Sequence, residues 1–292
     1  MFDEEHSADA VAASFAATPD PRLREILTAL VRHAHAFVKD VGLTGEEWAA
    51  GIRFLTETGQ HCDATRQEFI LLSDVLGVSM LVETIGNRSV GGSTESTVEG
   101  PFHLVASPPR ALGESIAVVA DGEPCLVTGS VVDTGGRPVA GARIDVWQAD
   151  ADGFYDVQRP QTVPQQNLRG LFTADGDGRF WFRTIVPRFY PIPTDGPVGE
   201  LLGATARHPY RAAHIHVEVS APGVRTLTTH LFVDGSPYLD SDAVFGVKES
   251  LVRVFETTDD IALAERYQMP NPFRRVDFPI VVRPEGSSVG SG

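Results

Sequence analysis

Apolar residues in the N-terminal third of the chain recur every three to four positions, the period of an amphipathic α-helix. This pattern predicts three helices in succession. The first begins at Asp20, a suitable N-cap, and the second at Thr44, where Glu47 three residues later completes a capping box. The third runs from Asp63 to Gly86.

After about residue 90 the pattern changes to short runs in which apolar and polar residues alternate, bounded by Gly, Pro, Asp and Ser. Such alternation predicts β-strands with one buried face. Since no helical pattern separates the runs, we expect an antiparallel β-sandwich rather than parallel βαβ units. The predicted strands lie in LVTGSVVD, ARIDVWQAD, GRFWFRTIV, AHIHVEVS, TLTTHLFVDG and VDFPIVV. The prediction is a mainly β protein with α, divided into a helical segment (1–95) and a β-sandwich domain (96–292).

Charge and composition narrow the classes of function. The 292 residues include 24 Lys and Arg against 39 Asp and Glu, a formal net charge of −15, without any Lys/Arg-rich run. We therefore expect no nucleic-acid partner and no anionic membrane surface as partner. The opening residues lack the apolar region of a signal peptide, and no run approaches the roughly 18 apolar residues of a membrane span. Cys62 and Cys125 form no CxxC pair, which favours a reducing, cytoplasmic location.

Two His-x-His pairs occur, and secondary structure gives them opposite meanings. His33 and His35 fall in the first predicted helix, where residues two apart point about 200° from each other, so we expect surface histidines there. His214 and His216 fall in the strand AHIHVEVS, where residues two apart share a face. Two adjacent imidazoles suit a metal ion, and a structural polar face is the alternative.

Two of the five tyrosines lie at loop ends near predicted strands, Tyr155 in ADADGFYDVQ and Tyr190 in RFYPIPTDGPVG. Each alone is expected to pack its ring and to hydrogen-bond its hydroxyl. Together with the second His-x-His pair they suggest metal binding instead. A phenol with a pKa of about 10 ionises at neutral pH only beside a strong Lewis acid such as a metal ion. Hard oxygen together with imidazole favours trivalent iron.

The order and spacing of these four residues resembles that of the intradiol ring-cleavage dioxygenases, which hold a non-haem ferric ion between two tyrosines and two histidines. Tyr155 is followed after 34 residues by Tyr190, after 23 more by His214, and after one more by His216. Further similar stretches are TESTVEGPFH, GSVVDTGGRPVAGARIDVWQADADGFYD and RHPYRAAHIH. The resemblance covers roughly residues 20 to 282. It implies one Fe(III) per chain, a β-sandwich catalytic domain, and a helical N-terminal cap that forms a homodimer.

Within that family, GFYDVQ, YPIPTDGPVGELL and YLDSDAVFGVKESL are most similar to the hydroxyquinol 1,2-dioxygenases. His230 stands where a plain catechol enzyme is expected to have glutamine. The resemblance implies cleavage of hydroxyquinol (1,2,4-trihydroxybenzene) by O2 to 3-hydroxy-cis,cis-muconate and its tautomer maleylacetate. A catechol or chlorocatechol 1,2-dioxygenase is the nearer alternative. The alternative of another class is a non-catalytic transthyretin-like binding module, which the pattern GxVxDxxGxPVxGAxI also begins.

The resemblance also implies a role for each ligand. Tyr190 and His216 would be the axial ligands, and Tyr155 and His214 the equatorial ones. Tyr190 would be displaced when the substrate binds and would then accept one of its protons. Arg211 would stabilise negative charge that develops on the ring.

The substrate pocket implied by the resemblance is mostly apolar. Its one acidic member is Asp74, which lies in the otherwise apolar helical stretch LLSDVLGVSMLV and would accept a hydrogen bond from the third hydroxyl of hydroxyquinol. The implied pocket wall consists of Leu71, Asp74, Gly100, Pro101, Phe102, Ile192, Pro193 and Val244.

Overall fold

The computed structural model has two compact units, Met1–Glu57 and Thr58–Gly292, and five helices precede the first strand in the described part of the chain. The structure describes residues 2–63, 66–87, 92–100, 102–103, 106–119 and 121–286. Within them the helices are α1 (Ser7–Ser14), α2 (Pro21–Val41), α3 (Gly45–Gln60), α4 (Glu68–Val75), α5 (Val78–Gly86), α6 (Pro197–Ala204) and α7 (Ile261–Tyr267). The predicted functional division at residues 95 and 96 stays a prediction.

The strands all follow α5 along the chain. They are β1 (Pro124–Asp133), β2 (Arg143–Gln148), β3 (Arg169–Thr173), β4 (Arg179–Ile185), β5 (Tyr190–Pro191), β6 (Tyr210–Arg211), β7 (His214–Ser220), β8 (Leu227–Val233), β9 (Val252–Arg253), β10 (Glu256–Thr258), β11 (Phe273–Asp277) and β12 (Ile280–Val282). Each predicted run overlaps at least one of them, whereas β3, β5, β6, β9 and β10 were not predicted.

Side-chain caps decide where α2 and α3 begin. The Asp20 carboxylate accepts hydrogen bonds from the backbone N–H of Arg22 (2.8 Å) and of Leu23 (3.3 Å). Before α3, the Thr44 N–H donates to Glu47 Oε2 (2.9 Å) and the Glu47 N–H donates to Thr44 Oγ1 (3.3 Å). Both predicted helix starts are confirmed, because each cap satisfies N–H groups that have no partner inside the helix.

The third predicted helix is wrong in its extent. It begins at Glu68 instead of Asp63, and it is broken into α4 and α5, which are bent by 77° relative to each other. At the break Gly77 has φ +72°, a left-handed conformation that no α-helix continues through. The apolar period runs on through the break, so periodicity alone could not reveal it. Helices α1, α6 and α7 were not predicted either.

Among the residues that the structure describes, no single helix has both the length and the apolar composition to cross a membrane. The bent pair of α4 and α5 reaches that length and composition only when both helices are taken together.

Two five-stranded sheets make up the predicted β-sandwich. One has the order β10-β11-β1-β12 with β4 on β1, and the other has the order β3-β2-β7-β8-β9. Most pairs are antiparallel as expected, but β1 pairs in parallel with β11 and β12, and β8 pairs in parallel with β9. The run VDFPIVV is two strands, since Pro279 between them has no N–H for a sheet.

The inner faces of the two sheets share one apolar core. From β7 it takes Ile215, Val217 and Val219, and from the opposite sheet it takes, among others, Val127 and Phe182. Because successive residues of a strand point to opposite faces, the remaining face of β7 carries its two histidines. The predicted alternation of AHIHVEVS is confirmed, and it turns both imidazoles away from this core.

Candidate metal centre

Four donor atoms from separate parts of the chain converge on one point. The hydroxyl oxygen of Tyr155 lies 3.2 Å from that of Tyr190 and 3.0 Å from His216 Nε2. His214 Nε2 lies 3.4 Å from the Tyr190 oxygen and 3.1 Å from His216 Nε2. All four side chains are buried. The structure therefore brings together the four residues that the sequence singled out.

These separations suit a shared metal ion. Two ligand atoms that lie about 2.0–2.1 Å from one ion and subtend about 90–110° at it are about 2.8–3.4 Å apart. Burial raises the pKa of both tyrosines and lowers the pKa of the two histidines, so all four groups are neutral without a cation. Two neutral imidazoles and two phenols that a strong Lewis acid can ionise form a donor set for a hard trivalent ion.

A glycine lets the two tyrosines approach each other. Tyr190 begins β5, whereas Tyr155 follows the loop after β2. In that loop Gly153 has φ +88°, and a Cβ at this position would lie 3.0 Å from the Phe189 carbonyl oxygen and 3.1 Å from the Tyr190 Cβ. A side chain at residue 153 would therefore push the Tyr155 loop away from β5.

Hydrogen bonds on the far ring nitrogens orient both histidines. His214 Nδ1 donates to the Ala212 carbonyl oxygen (2.6 Å), which leaves the lone pair on Nε2. His216 Nδ1 lies 2.8 Å from His230 Nε2, and His230 Nδ1 lies 2.8 Å from Thr97 Oγ1. A ligand atom of His230 also lies within 4.8 Å of ligand atoms of the other two histidines. The Nε2 of His230, however, is hydrogen-bonded to His216 Nδ1, on the side of the His216 ring away from the four donor atoms.

The register of the sheet aligns three rings across neighbouring strands. His216 on β7 is opposite Trp147 on β2 and opposite His230 on β8. The indole of Trp147 stacks on the His216 ring at 4.7 Å with an interplanar angle of 8°, and the His230 ring meets it edge-on at 4.3 Å. This packing restrains the His216 ring from both sides.

Gly100 and Phe102 pack against side chains of the four proposed donor residues. Gly100 has φ +79°, and a Cβ there would lie 3.0 Å from His216 Cε1. The ring of Phe102 stacks on Tyr155 at 4.5 Å, and its centroid lies 6.3 Å from that of Tyr190. Of the three consecutive residues predicted to line the pocket here, Gly100 and Phe102 thus border the centre, and Pro101 lies outside the described residues.

A buried ion pair adjoins the tyrosines. Arg211 Nε donates to Asp242 Oδ1 (3.2 Å), and Arg211 Nη1 lies 3.5 Å from the Tyr190 oxygen. Burial by itself would lower the pKa of Arg211, but the charges of Asp242, Tyr190 and Tyr155 together outweigh burial and raise that pKa. Arg211 Nη2 is buried without a hydrogen-bond partner among the described residues. Asp242 was not predicted, although it lies in the stretch YLDSDAVFGVKESL that carries part of the family resemblance.

Comparison with known proteins shows which family the chain resembles. The family model described as "Dioxygenase" matches residues 110–284, and "Catechol dioxygenase N terminus" matches residues 20–94. A hydroxyquinol 1,2-dioxygenase of Rhizobium sp. is 52% identical over 282 residues, 96% of each chain. A 6-chlorohydroxyquinol 1,2-dioxygenase of Cupriavidus pinatubonensis is 55% identical over 86% of this chain and 91% of its own.

A solved structure of a hydroxyquinol 1,2-dioxygenase from Pseudomonas putida superposes with a TM-score of 0.90 at 50% identity, covering 97% of this chain and 99% of that one. The chain belongs to the intradiol ring-cleavage dioxygenases. This finding removes the alternative of a non-catalytic transthyretin-like module.

In this dioxygenase Asp74 lies on α4 and is buried. Burial raises the pKa of Asp74, while a hydrogen bond from Ser79 and the positive charge of Arg211 act in the opposite direction. The negative charge of Asp242 contributes to the raised pKa as well. The Asp74 carboxyl group therefore belongs to the same electrostatic cluster as Arg211 and Asp242.

An arginine joins two of the segments predicted to form the pocket. Arg207 Nη1 donates to the carbonyl oxygen of Val75 at the end of α4 (2.6 Å), and Arg207 Nη2 donates to that of Ala243 (2.9 Å). These bonds tie the helix of Asp74 to the segment of Val244. Among the other predicted pocket residues, Leu71, Ile192 and Val244 are buried and Pro193 is partly buried.

Proposed function

We propose that this dioxygenase cleaves hydroxyquinol with O2 between two adjacent hydroxylated carbons, so that both oxygen atoms enter the product. The product is 3-hydroxy-cis,cis-muconate, which tautomerises to maleylacetate. The observation that carries the reaction class is the set of four donor atoms, two of them phenol oxygens, in which each atom lies 3.0–3.4 Å from two of the others. Three relatives whose names specify a hydroxyquinol support the substrate.

The proposed metal ligands are Tyr155, Tyr190, His214 and His216, holding one non-haem Fe(III) per chain. When bound, Fe(III) supplies the Lewis acidity that favours ionised oxygen ligands and keeps the chelated ring electron-rich. Two phenolates offset two of its three charges. The buried, aromatic surroundings of these side chains keep water out, which strengthens every charge interaction in the site.

Tyr190 is the proposed proton acceptor for one hydroxyl of the substrate. Its oxygen lies between Tyr155 and Arg211, at 3.2 Å and 3.5 Å. The positive charge of Arg211 lowers the cost of a phenolate at Tyr190, although burial keeps the net pKa of Tyr190 raised. The free Nη2 of Arg211 is the proposed donor to negative charge that develops on the ring.

Asp74 is the proposed partner of the third hydroxyl, the group that distinguishes hydroxyquinol from catechol. A buried acceptor built for a substrate hydroxyl penalises an analogue without it, because the acceptor is then left without a hydrogen bond. Leu71, Gly100, Pro101, Phe102, Ile192, Pro193 and Val244 are proposed to enclose the rest of the ring.

The function is tested with purified, iron-loaded protein in air. Hydroxyquinol, catechol and chlorocatechol are supplied separately, and O2 uptake and product mass are measured. We expect one O2 per hydroxyquinol, a product with the combined mass of both reactants, and slower turnover of catechol. Absence of ring opening would refute the proposed reaction, and a preference for catechol or chlorocatechol would replace the proposed substrate with that alternative.

Asp74→Ala is expected to lower kcat/KM for hydroxyquinol by about 10- to 150-fold. This range corresponds to the loss of a hydrogen bond to a charged acceptor, which contributes roughly 1.5–3 kcal/mol. Catechol should change little, because it makes no such bond. Asp74→Asn, which keeps the shape and one acceptor oxygen, is the matched control and should lose less. General damage to folding or iron loading would depress both substrates equally, so a parallel fall would contradict the role of Asp74.

We also propose that the chain forms a homodimer through its N-terminal helices and works in the cytoplasm. Support for the dimer comes from apolar side chains on α2 and α3 that the described structure leaves exposed, since such rows mark interfaces. They are Leu23, Ile26, Leu30, Phe37, Val38, Val41, Trp48, Ile52 and Leu55. The two free cysteines, Cys62 and Cys125, suit a reducing compartment.

A further inference from the structure

We propose that His230 and Thr97 form a hydrogen-bonded chain that sets the tautomer of His216, so that its Nε2 is free to bind iron. The two are positioning residues, since neither offers an atom to the centre itself. This inference rests on the iron site proposed above and adds the device that prepares one of its ligands.

The chain crosses three segments in the protein interior. His216 Nδ1 lies 2.8 Å from His230 Nε2, and His230 Nδ1 lies 2.8 Å from Thr97 Oγ1. The three side chains are at most 1% exposed. The backbone N–H of Thr97 donates to the Thr228 carbonyl oxygen (2.9 Å), which fixes the hydroxyl beside β8. Bulk water therefore does not replace any partner in the chain.

Two proton arrangements satisfy these contacts, and they have opposite consequences. In the first, His216 Nδ1–H donates to His230 Nε2, and His230 Nδ1–H donates to Thr97 Oγ1. The lone pair of His216 then lies on Nε2, among the four donor atoms. In the second arrangement every bond is reversed, and a neutral His216 carries its proton on Nε2, where it blocks a metal ion.

His214 does not have this freedom. Its Nδ1 faces the backbone carbonyl of Ala212, which only accepts hydrogen bonds and so permits one neutral tautomer. The hydroxyl of Thr97 both donates and accepts, and so does the imidazole of His230. The side chains at positions 97 and 230 therefore decide how readily His216 becomes a ligand.

Removing the hydroxyl of Thr97 should favour the blocked arrangement. His230 Nδ1 would lose its partner in both arrangements, but the first leaves a buried N–H without an acceptor, which protein interiors tolerate less often than an acceptor without a donor. Partners behind a metal ligand typically change metal affinity by about 10- to 100-fold. We expect an effect of this size on iron binding, independent of any substrate.

The test measures Fe(III) affinity by competition with a chelator, followed through the visible absorption of iron-bound phenolate. Thr97→Val and His230→Leu should bind iron about 10- to 100-fold more weakly than the wild type. Thr97→Ser keeps the hydroxyl and should restore affinity to within about threefold. Thr184→Val is the matched control, because it removes another buried hydroxyl, which donates to Gln148 Oε1 (2.7 Å) on a different strand. It should bind iron as the wild type does.

A second measurement reads the tautomers directly in the wild-type protein and does not depend on the folding of any variant. Ga(III) replaces Fe(III) as a diamagnetic trivalent ion, and the ring nitrogens of ¹⁵N-labelled histidine are observed by NMR. We expect protons on Nδ1 of His216 and on Nδ1 of His230. A proton on Nε2 of His230 would overturn the proposed chain.

The outcomes separate this inference from the proposed function. If Tyr155→Phe and His214→Ala lose iron while Thr97→Val and His230→Leu bind it normally, the iron site stands and the chain is refuted. If Tyr155→Phe and His214→Ala retain iron fully, the proposed ligand set itself fails.

Discussion

Tyr190→Phe is expected to lower turnover per bound iron by about 10²- to 10⁴-fold, the usual contribution of a positioned proton acceptor. The substitution removes one oxygen and keeps the ring that packs against Phe102. Neither member of the adjacent ion pair replaces it. Arg211 is already protonated, and the Asp242 carboxylate is occupied by Arg211 Nε and by the Gly246 N–H. Iron content and turnover are measured on the same sample, so that lost iron is not mistaken for lost chemistry.

Tyr267→Phe is the control for this experiment, because Tyr267 lies on α7 beside a separate apolar cluster. It should keep wild-type turnover per iron. Near-normal turnover per iron in Tyr190→Phe would contradict the proposed role as proton acceptor and would leave Tyr190 at most a ligand.

Tyr155→Phe and His214→Ala are each expected to lose most of the bound iron. Each removes one of four proposed protein ligands from a site that competes with water and chelators for the ion. In Tyr155→Phe the stacking on Phe102 is retained, so the fold around the site should persist. Iron is measured by elemental analysis after purification, together with the red-brown colour expected of iron-bound phenolate.

His33→Ala is the matched histidine control, since His33 is exposed on α2. It should keep full iron and colour. His35 is a poorer control, because its Nδ1 lies 3.0 Å from Ser7 Oγ in the same unit. Stoichiometric iron in both Tyr155→Phe and His214→Ala would disprove the proposed ligands.

The sequence predicted those features that depend on neighbours along the chain. Asp20 and the pair of Thr44 and Glu47 marked helix starts because a cap acts within three residues. The alternation of β7 placed His214 and His216 on one face because the geometry of a strand has a period of two. The break at Gly77 escaped prediction, since a single glycine inside an apolar helical period is compatible with a continuous helix.

Family resemblance extended the prediction to residues that local rules leave unconnected. Tyr155 and Tyr190 were paired with the histidines by their order and spacing, and the structure brings their oxygens within 3.2 Å of each other. Arg211 was found in the same way, whereas its buried partner Asp242 was missed. An aspartate 31 residues away carries no local mark of the arginine that it holds.

By itself, the sequence determined the helix caps, the faces of the strands, and the kinds of donor atom available for a metal. Only the tertiary structure decided which of these groups meet. Thr97 and His230 are 133 residues apart and hydrogen-bond at 2.8 Å, because the backbone of Thr97 bonds to Thr228 on β8. Strand β8 in turn pairs with β7 in the register that sets His230 opposite His216. Periodicity specifies which face a side chain takes. The partner strand and its register depend on long-range packing, which no local pattern encodes.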